Sequence, residues 1–278
     1  MKIEKDIKLF NDNESISVVY TKENFETTDT DIAVYDKYKI SILLSDGLNA
    51  VVGDKGISSD KNSVLFFRPD ELHFGRVSRA GVHSYLDFLI PCSFFEKFYK
   101  GSEIVQFITD KSENRVNYIV FDMPHQKIIF ETARDTIEIL KSNDKNSDMK
   151  IFSLMLRIIL LCSDFYEKQK HNPIDFQMPD IVTGTMMYIS ENYKDKLSLE
   201  KLASRANCSV TYLSRIFKQY VGITIYNYII ATRIGNAQIM LKKNASVTET
   251  CFASGFDDCS NFIRTFKKNN REDTDAIS

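Results

Sequence analysis

A four-residue phrase occurs twice near the end of this chain, and the repetition constrains the fold more than any other feature. Arg215-Ile216-Phe217-Lys218 and Arg264-Thr265-Phe266-Lys267 share the pattern Arg-x-Phe-Lys at an offset of 49 positions. Upstream, Leu199 and Ala203 answer to Val247 and Cys251 at an offset of 48, a slip of one residue. A fixed period marks one supersecondary unit built twice. Each copy reads as a short helix, a tight turn and a second helix with basic residues on one side. That is the pattern of a helix-turn-helix unit, which points to DNA binding.

In the first copy Ser198 stands where a cap is needed, ahead of Leu199, Leu202, Ala203 and Ala206 at helical spacing. Asn207-Cys208 is the turn, Ser209 caps the next helix, and Leu213, Ile216, Phe217 and Tyr220 form its inward stripe. Thr211, Ser214, Arg215 and Lys218 fall off that stripe, where base edges and phosphates would be met. In the second copy Ser246-Val247-Thr248-Glu249 reads as a capping box, and Gly255-Phe256 as a turn that uses glycine's backbone freedom. Asp258 caps a helix with Phe262 and Phe266 inward and Cys259, Ser260, Ile263, Arg264 and Lys267 outward. Between the copies, Thr224 to Lys243 carries the stripe Tyr226, Ile229, Ile230, Ile234, Ala237 and Leu241. A helix of about 20 residues is about 30 Å long. Successive major-groove segments on one side of B-DNA lie about 34 Å apart.

The first 110 residues alternate short β-rich runs with turn signals. Tyr38–Leu44 precedes Ser45-Asp46-Gly47, Ser63–Phe67 precedes Arg68-Pro69-Asp70, and His83–Ile90 ends at Pro91. Many short strands at regular spacing predict a barrel or a sandwich. Helical period then takes over, with Ile129, Ala133, Ile137 and Leu140 on one stripe and Phe152, Met155, Ile159 and Cys162 on another. These two helices form a hairpin that either packs on the strands or pairs with a second chain. The polar stretch from Glu167 to Asp180, with Pro173 and Pro179, reads as a linker.

Composition supports packed cores, at 43% hydrophobic and 12% aromatic residues. The net charge of −2 hides an asymmetry: residues 179–278 hold 13 Lys and Arg against 10 Asp and Glu, the rest of the chain 23 against 28. The basic bias lies with the repeat, as DNA binding requires. The five cysteines are scattered and form no Cys-x-x-Cys pair, and the first residues are charged, which predicts a reduced, cytoplasmic protein. The longest apolar run, Ile151 to Cys162, is interrupted by Arg157 and is too short for a bilayer, so no membrane partner is expected.

The stretch from about Ile181 to Asn269 resembles the AraC/XylS family of bacterial transcription regulators. The resemblance rests on Leu197–Ala203, Ser209, Tyr212–Lys218, Gly222, Arg233, Ala237 and Leu241, then Gly255–Asp258, Phe262, Arg264 and Phe266–Lys268. It implies an α+β protein of two domains. A cupin-like β-barrel with the helical hairpin would occupy 1–166, a linker 167–180, and an all-α domain with two helix-turn-helix motifs 181–278. A weaker match around Asn62–Phe74 supports the cupin reading. The resemblance further implies an activator that meets promoter DNA and RNA polymerase and dimerises through 126–166. The DNA-binding residues it carries over are Ser209, Thr211, Ser214, Arg215 and Lys218, then Ser260, Asn261, Ile263, Arg264 and Lys267. Lys218 and Lys267 suit phosphates better than bases.

An effector, small molecule or protein, would act on the barrel, with Tyr38, Arg68, Glu71, His73 and Tyr85 as candidate polar contacts. The chain departs from the family in three ways. Thr250 and Cys251 replace the usual Ile-Ala, the Gly-x-x-Pro segment after Lys268 is missing, and Cys259 and Ile263 are poor hydrogen-bonding residues for a reading face. The second unit would then hold the DNA backbone more than it reads bases.

A metal-dependent cupin enzyme is the alternative class. Metal cupins are similar in using His-x-His, a Glu and a later His; here the histidines are His73, His83, His125 and His171, and His73 matches only the later position. No metal or other cofactor is therefore expected. No phosphate-cradling glycine run and no Gly-x-Ser-x-Gly elbow is present. The expected activity is binding rather than catalysis.

Overall fold

Alternating apolar and polar residues along short strands need a partner sheet on one face and a cover on the other, and both are present. The computed structural model describes residues 1–7, 15–26, 30–33, 35–52, 55–58, 63–69, 71–98, 102–110, 117–170, 178–242 and 244–269. Asn62, Asp70, His171, Pro173, Lys243 and Asn270–Ser278 lie outside these residues. The strands are β1 (Lys2–Ile7), β2 (Ile16–Phe25), β3 (Thr30–Ala33), β4 (Tyr38–Leu43), β5 (Leu48–Val52), β6 (Lys55–Ser58), β7 (Val64–Phe67), β8 (His73–Val77), β9 (Gly81–Ile90) and β10 (Tyr118–Ile119). They pair antiparallel in two sheets, one in the order β1-β2-β9-β4-β7-β10 and one in the order β3-β8-β5-β6. The expected barrel is therefore not closed. Among the described residues no ladder joins the two sheets: one ends at β1 and β10 and the other at β3 and β6.

Register separates the two faces of the larger sheet. Val18, Phe88, Ile40 and Phe66 stand opposite one another in neighbouring strands, and all four are fully buried. This face meets the helices α1 (Cys92–Phe98) and α2 (Gln106–Thr109), with Phe66 edge-on to Phe107 at 5.2 Å. The opposite face turns to the smaller sheet, because Phe67 stacks on His73 of β8 at 4.0 Å. That face mixes polar Lys39, Ser41, Asp87 and Tyr85 with apolar Val19, Leu43, Leu65 and Phe67, whereas the helix side is apolar.

The helical hairpin forms as expected from α3 (Met123–Lys141) and α4 (Ser147–Lys170). Its stripes pack into the core of the sheets: Ile129, Ala133, Met155, Ile159 and Cys162 share one cluster with the strands. Helix α4 continues to Lys170, so the first residues of the expected linker are helical. No helix among the described residues is long and apolar enough to cross a membrane.

Six further helices follow: α5 (Asp180–Asn192), α6 (Leu199–Arg205), α7 (Val210–Val221), α8 (Ile225–Lys242), α9 (Val247–Ala253) and α10 (Cys259–Asn269). Helix α8 is their common axis. Its first half, with Ile225, Tyr228, Ile229 and Ala231, enters a cluster with Leu202, Leu213 and Phe217. Its second half, with Ile234 and Ala237, enters a cluster with Cys251, Phe256, Phe262 and Phe266. Because α8 is covered on several sides, a single stripe does not describe it. Tyr226 is 64% exposed, contrary to the expected pattern, and Ile225 and Tyr228 are buried instead. Val51 and Leu72, from the smaller sheet's side of the molecule, join the first of these clusters. Along β5, Leu48, Ala50 and Val52 face the core of the sheets, and Val51 alternates to the outside, where the helices bury it.

Candidate nucleic-acid interface

The repeat seen in the sequence is a repeat in three dimensions. Ser198 accepts a hydrogen bond from the Lys201 amide, and Ser246 accepts one from the Glu249 amide, both at 3.2 Å. Each turn then needs a left-handed residue: Asn207 has φ +50° and Gly255 φ +83°. Up to this point the offset is 48. Ser209 caps α7 through the Tyr212 amide at 3.2 Å, and Asp258 caps α10 through the amides of Ser260 (3.1 Å) and Asn261 (2.9 Å). From Ser209 to Asp258 the offset is 49, so the one-residue slip is absorbed in the second turn. The second helix of each unit buries matching residues, Leu213 and Phe217 in α7 and Phe262 and Phe266 in α10. Each such phenylalanine stabilises its unit by about 1.5–3 kcal/mol.

Thr211, Arg215 and Lys218 are exposed on α7, as Ser260, Asn261, Arg264 and Lys267 are on α10; Ser209 is exposed at its cap and Ser214 is half-buried. Ile263 and Cys259 are not fully outward, because both pack against the core of the second unit. Each arginine is held by the residue three positions before it. The Arg215 guanidinium lies 5.6 Å from the centre of the Tyr212 ring, and Arg264 donates to Asn261 Oδ1 at 3.1 Å. Tyr212, exposed beside Thr211, escaped sequence reasoning because aromatic residues on a helix usually read as core.

Arg233 of α8 ties the domain together. Its Nε donates to the Tyr193 carbonyl and its second terminal nitrogen to the Asp195 carbonyl, each at 2.8 Å, and it lies 5.9 Å from the Phe256 ring centre. It thus fixes the end of α5 and the second turn to the common axis. Burial lowers its pKa. The second unit also holds a misfit: Thr250 is buried where the first unit has Leu202, and its Oγ1 has no hydrogen-bond partner. Thr250→Val is expected to stabilise the helical domain by about 1 kcal/mol, since a buried hydroxyl without a partner costs about 1–3 kcal/mol. Thermal melts of the two proteins measure this.

The five candidate effector contacts divide between two places. Tyr38 and Arg68 face the helices: Tyr38 is edge-on to Phe95 at 5.0 Å and Arg68 donates to the Phe107 carbonyl at 3.2 Å. Glu71 accepts from the Arg68 amide at 3.0 Å and from Asn117 Nδ2 at 2.9 Å, so these residues form a buried knot. His73 and Tyr85 belong to the space between the sheets. Beside His73 lies a pair that sequence reasoning missed, Lys39 Nζ to Asp87 Oδ2 at 3.0 Å, nearly buried on both sides. Among the described residues no group of three or more His, Cys, Asp and Glu could hold a metal.

Burial, and then the Lys39 charge, push the His73 pKa down to about 3, against a weaker opposing hydrogen bond with the Glu71 carbonyl. A depressed histidine binds fewer protons folded than unfolded, so its stabilisation is full above pH about 6.5 and is lost as pH falls towards 3. The slope is at most about 1.4 kcal/mol per pH unit. His73→Asn, which keeps a donor near the Glu71 carbonyl, is expected to flatten this acid limb in urea melts between pH 6.5 and 4.5.

Two capped helix pairs on one axis, each presenting a basic helix, define a DNA-binding helix-turn-helix domain. Residues 202–272 match the family model described as a helix-turn-helix domain. An uncharacterised HTH-type transcriptional regulator from the cgkA 5' region of Pseudoalteromonas carrageenovora is 38% identical over 89 residues, covering 32% of this chain and 52% of the relative. The bifunctional transcriptional activator/DNA repair enzyme AdaA of Bacillus subtilis (strain 168) is 30% identical over 111 residues, covering 39% of this chain and 53% of AdaA. The chain thus spans about half the length of the curated relatives it matches. ToxT from Vibrio cholerae aligns over 94% of this chain and 97% of its own, with 14% identity and a TM-score of 0.42. The stretch 202–272 is thus similar to the helix-turn-helix domain of proteins named as transcriptional regulators.

Proposed function

We propose that the chain is a sequence-specific transcription regulator that lays α7 and α10 into adjacent major-groove segments of one site. The observation that carries this reading is the matched pair of exposed, pre-positioned arginines on two helices hung from one axis. Helix α8 has 18 residues, about 27 Å at 1.5 Å per residue. Ser209, Thr211, Ser214 and Arg215 would meet one segment and Ser260, Asn261, Ile263 and Arg264 the next, with Lys218 and Lys267 on phosphates.

Residues 1–166 form the regulatory domain in this reading, 167–180 the connection and 181–278 the DNA-binding domain. Lys39, Asp87, His73 and Tyr85, which lie between the sheets, are the polar groups a small-molecule effector would meet there, and a protein partner on the outer surface is the alternative. Exposed Met149 and Leu160 on α4 support dimerisation through 126–166. Activation, with RNA polymerase as partner in the cytoplasm, is proposed because the AdaA relative is a transcriptional activator. Binding rather than catalysis is the activity assigned.

Selection of bound duplexes from a random pool at one fixed salt concentration tests the reading. Two short enriched blocks about one helical turn apart are expected. A single block would reduce α10 to a backbone contact, and no enrichment with or without added effector would sink the reading.

A further inference from the structure

Between the sheets, two buried atoms meet no hydrogen-bonding partner among the described residues: His73 Nε2 on β8 and Asp87 Oδ1 on β9. Their side chains belong to residues only 4% and 6% exposed. The other polar atom of each is engaged. Asp87 Oδ2 lies 3.0 Å from Lys39 Nζ, and His73 Nδ1 lies 3.0 Å from the Glu71 carbonyl oxygen. The two residues belong to one assembly. Phe67 stacks on the His73 ring at 4.0 Å and Tyr35 flanks that ring at 5.5 Å. Lys39, the partner of Asp87, lies 5.6 Å from the centre of the Phe67 ring and 5.2 Å from that of Tyr35.

The engaged atoms settle the chemistry of the other two. A carbonyl oxygen only accepts, so His73 Nδ1 carries the ring hydrogen and donates it to Glu71. In the neutral ring Nε2 is then a bare lone pair. Burial, followed by the Lys39 charge, keeps the ring neutral by pushing its pKa down to about 3. A carboxylate oxygen is likewise an acceptor. Both unmatched atoms therefore call for a donor. Native proteins rarely bury an acceptor without one, because the lost hydration is not repaid.

We propose that His73 Nε2 and Asp87 Oδ1 are the recognition atoms of the effector site, and that the effector is an uncharged molecule that presents N–H or O–H donors to both. This inference rests on the reading of the region between the sheets as the effector site, and it names the chemistry of the molecule bound there. A carboxylate ligand would set further acceptors against two acceptors, one of them already anionic, and the contact would be repulsive. A cationic ligand would add a second positive charge beside Lys39, whose charge Asp87 already balances. Apolar residues share the face, with Val19 opposite Asp87 and Leu65 opposite Ser41 in the neighbouring strands. An apolar body with a donating head group fits these surroundings.

Benzamide and benzoate are the probes, because they share a ring and differ in whether the head group donates. The full chain is titrated with each in the absence of DNA. Melting temperature is read, and the His73 ring nitrogens are followed by long-range proton–nitrogen NMR. Benzamide is expected to raise the melting temperature and to move the Nε2 resonance while Nδ1 stays in place. Benzoate is expected to do neither. His73→Phe keeps a ring against Phe67 and removes Nε2, and it should weaken benzamide binding about tenfold, the loss of one buried hydrogen bond. Asp87→Asn serves if that variant does not fold. Its carbonyl can face Lys39 while its amide replaces Oδ1 by a donor, so it should weaken benzamide and admit benzoate. Binding of benzoate by the wild type as tightly as benzamide would overturn the assigned chemistry and leave the effector reading standing. Binding of neither probe, or benzamide binding that the variants do not change, would overturn the site itself. The duplex selection, made without either probe, judges the DNA-binding reading separately.

Discussion

Gly255→Ala is expected to unfold the second helix-turn-helix unit, with a loss of about 3–5 kcal/mol. Two costs act together. The residue sits at φ +83°, where a side chain is strained. A Cβ there would also lie 2.8 Å from both Lys194 Cα and the Tyr193 carbonyl oxygen and 2.9 Å from the Lys194 oxygen. All three are backbone atoms, and Arg233 holds that backbone in place through the Tyr193 and Asp195 carbonyls, so nothing can rotate aside. Asn207, its counterpart at φ +50°, lies in the left-handed region that asparagine tolerates, and Asn207→Ala should cost only about 1 kcal/mol. Urea unfolding followed by circular dichroism compares the two. If the glycine variant melts as the wild type does, the packing of this turn on the 193–194 backbone is misread.

Arg215→Ala and Arg264→Ala are each expected to weaken specific DNA binding by about 1–3 kcal/mol while leaving the melting temperature close to wild type. Both side chains are exposed on helices whose buried faces they do not share, so folding should not register their loss. Tyr212 and Asn261 already restrain them, and less freedom is then lost on binding. A reader of bases should also relax specificity at one position of the site, whereas a phosphate contact should weaken all duplexes alike and flatten the salt dependence. Fluorescence anisotropy on the selected duplex and on its single-base variants separates these outcomes. Affinities equal to wild type on every duplex would remove the arginines from the interface.

What could be read from the sequence was local chemistry. Ser198, Ser209, Ser246 and Asp258 cap helices as their side chains require, and Asn207 and Gly255 mark the turns because few residues accept that backbone. What could not be read depends on which elements cover which faces. The alternation around Lys39 and Asp87 identifies two faces but not which of them meets a second sheet, so their buried ion pair is not legible from it. Arg233 finds its carbonyl partners about 40 positions away, and no local pattern announces them. Tyr226 fitted a stripe that α8 does not have, because a helix shared by two cores has no single inner side. Barrel closure depends on which strands pair across the sheet edges, which short β-rich runs do not reveal.

Val51 sets the scale on which the two halves of the molecule can influence each other. It points away from the core of its own sheet and is buried by the helices that carry the proposed DNA contacts. A valine covered in this way contributes about 1.5–3 kcal/mol to holding the halves together. If that contact alone distinguished a docked arrangement from a released one, an effector between the sheets could change DNA affinity by no more than about 10- to 100-fold. Linkage then fixes the reverse traffic at the same factor: promoter DNA would tighten or loosen the effector's grip by as much as the effector alters the grip on DNA.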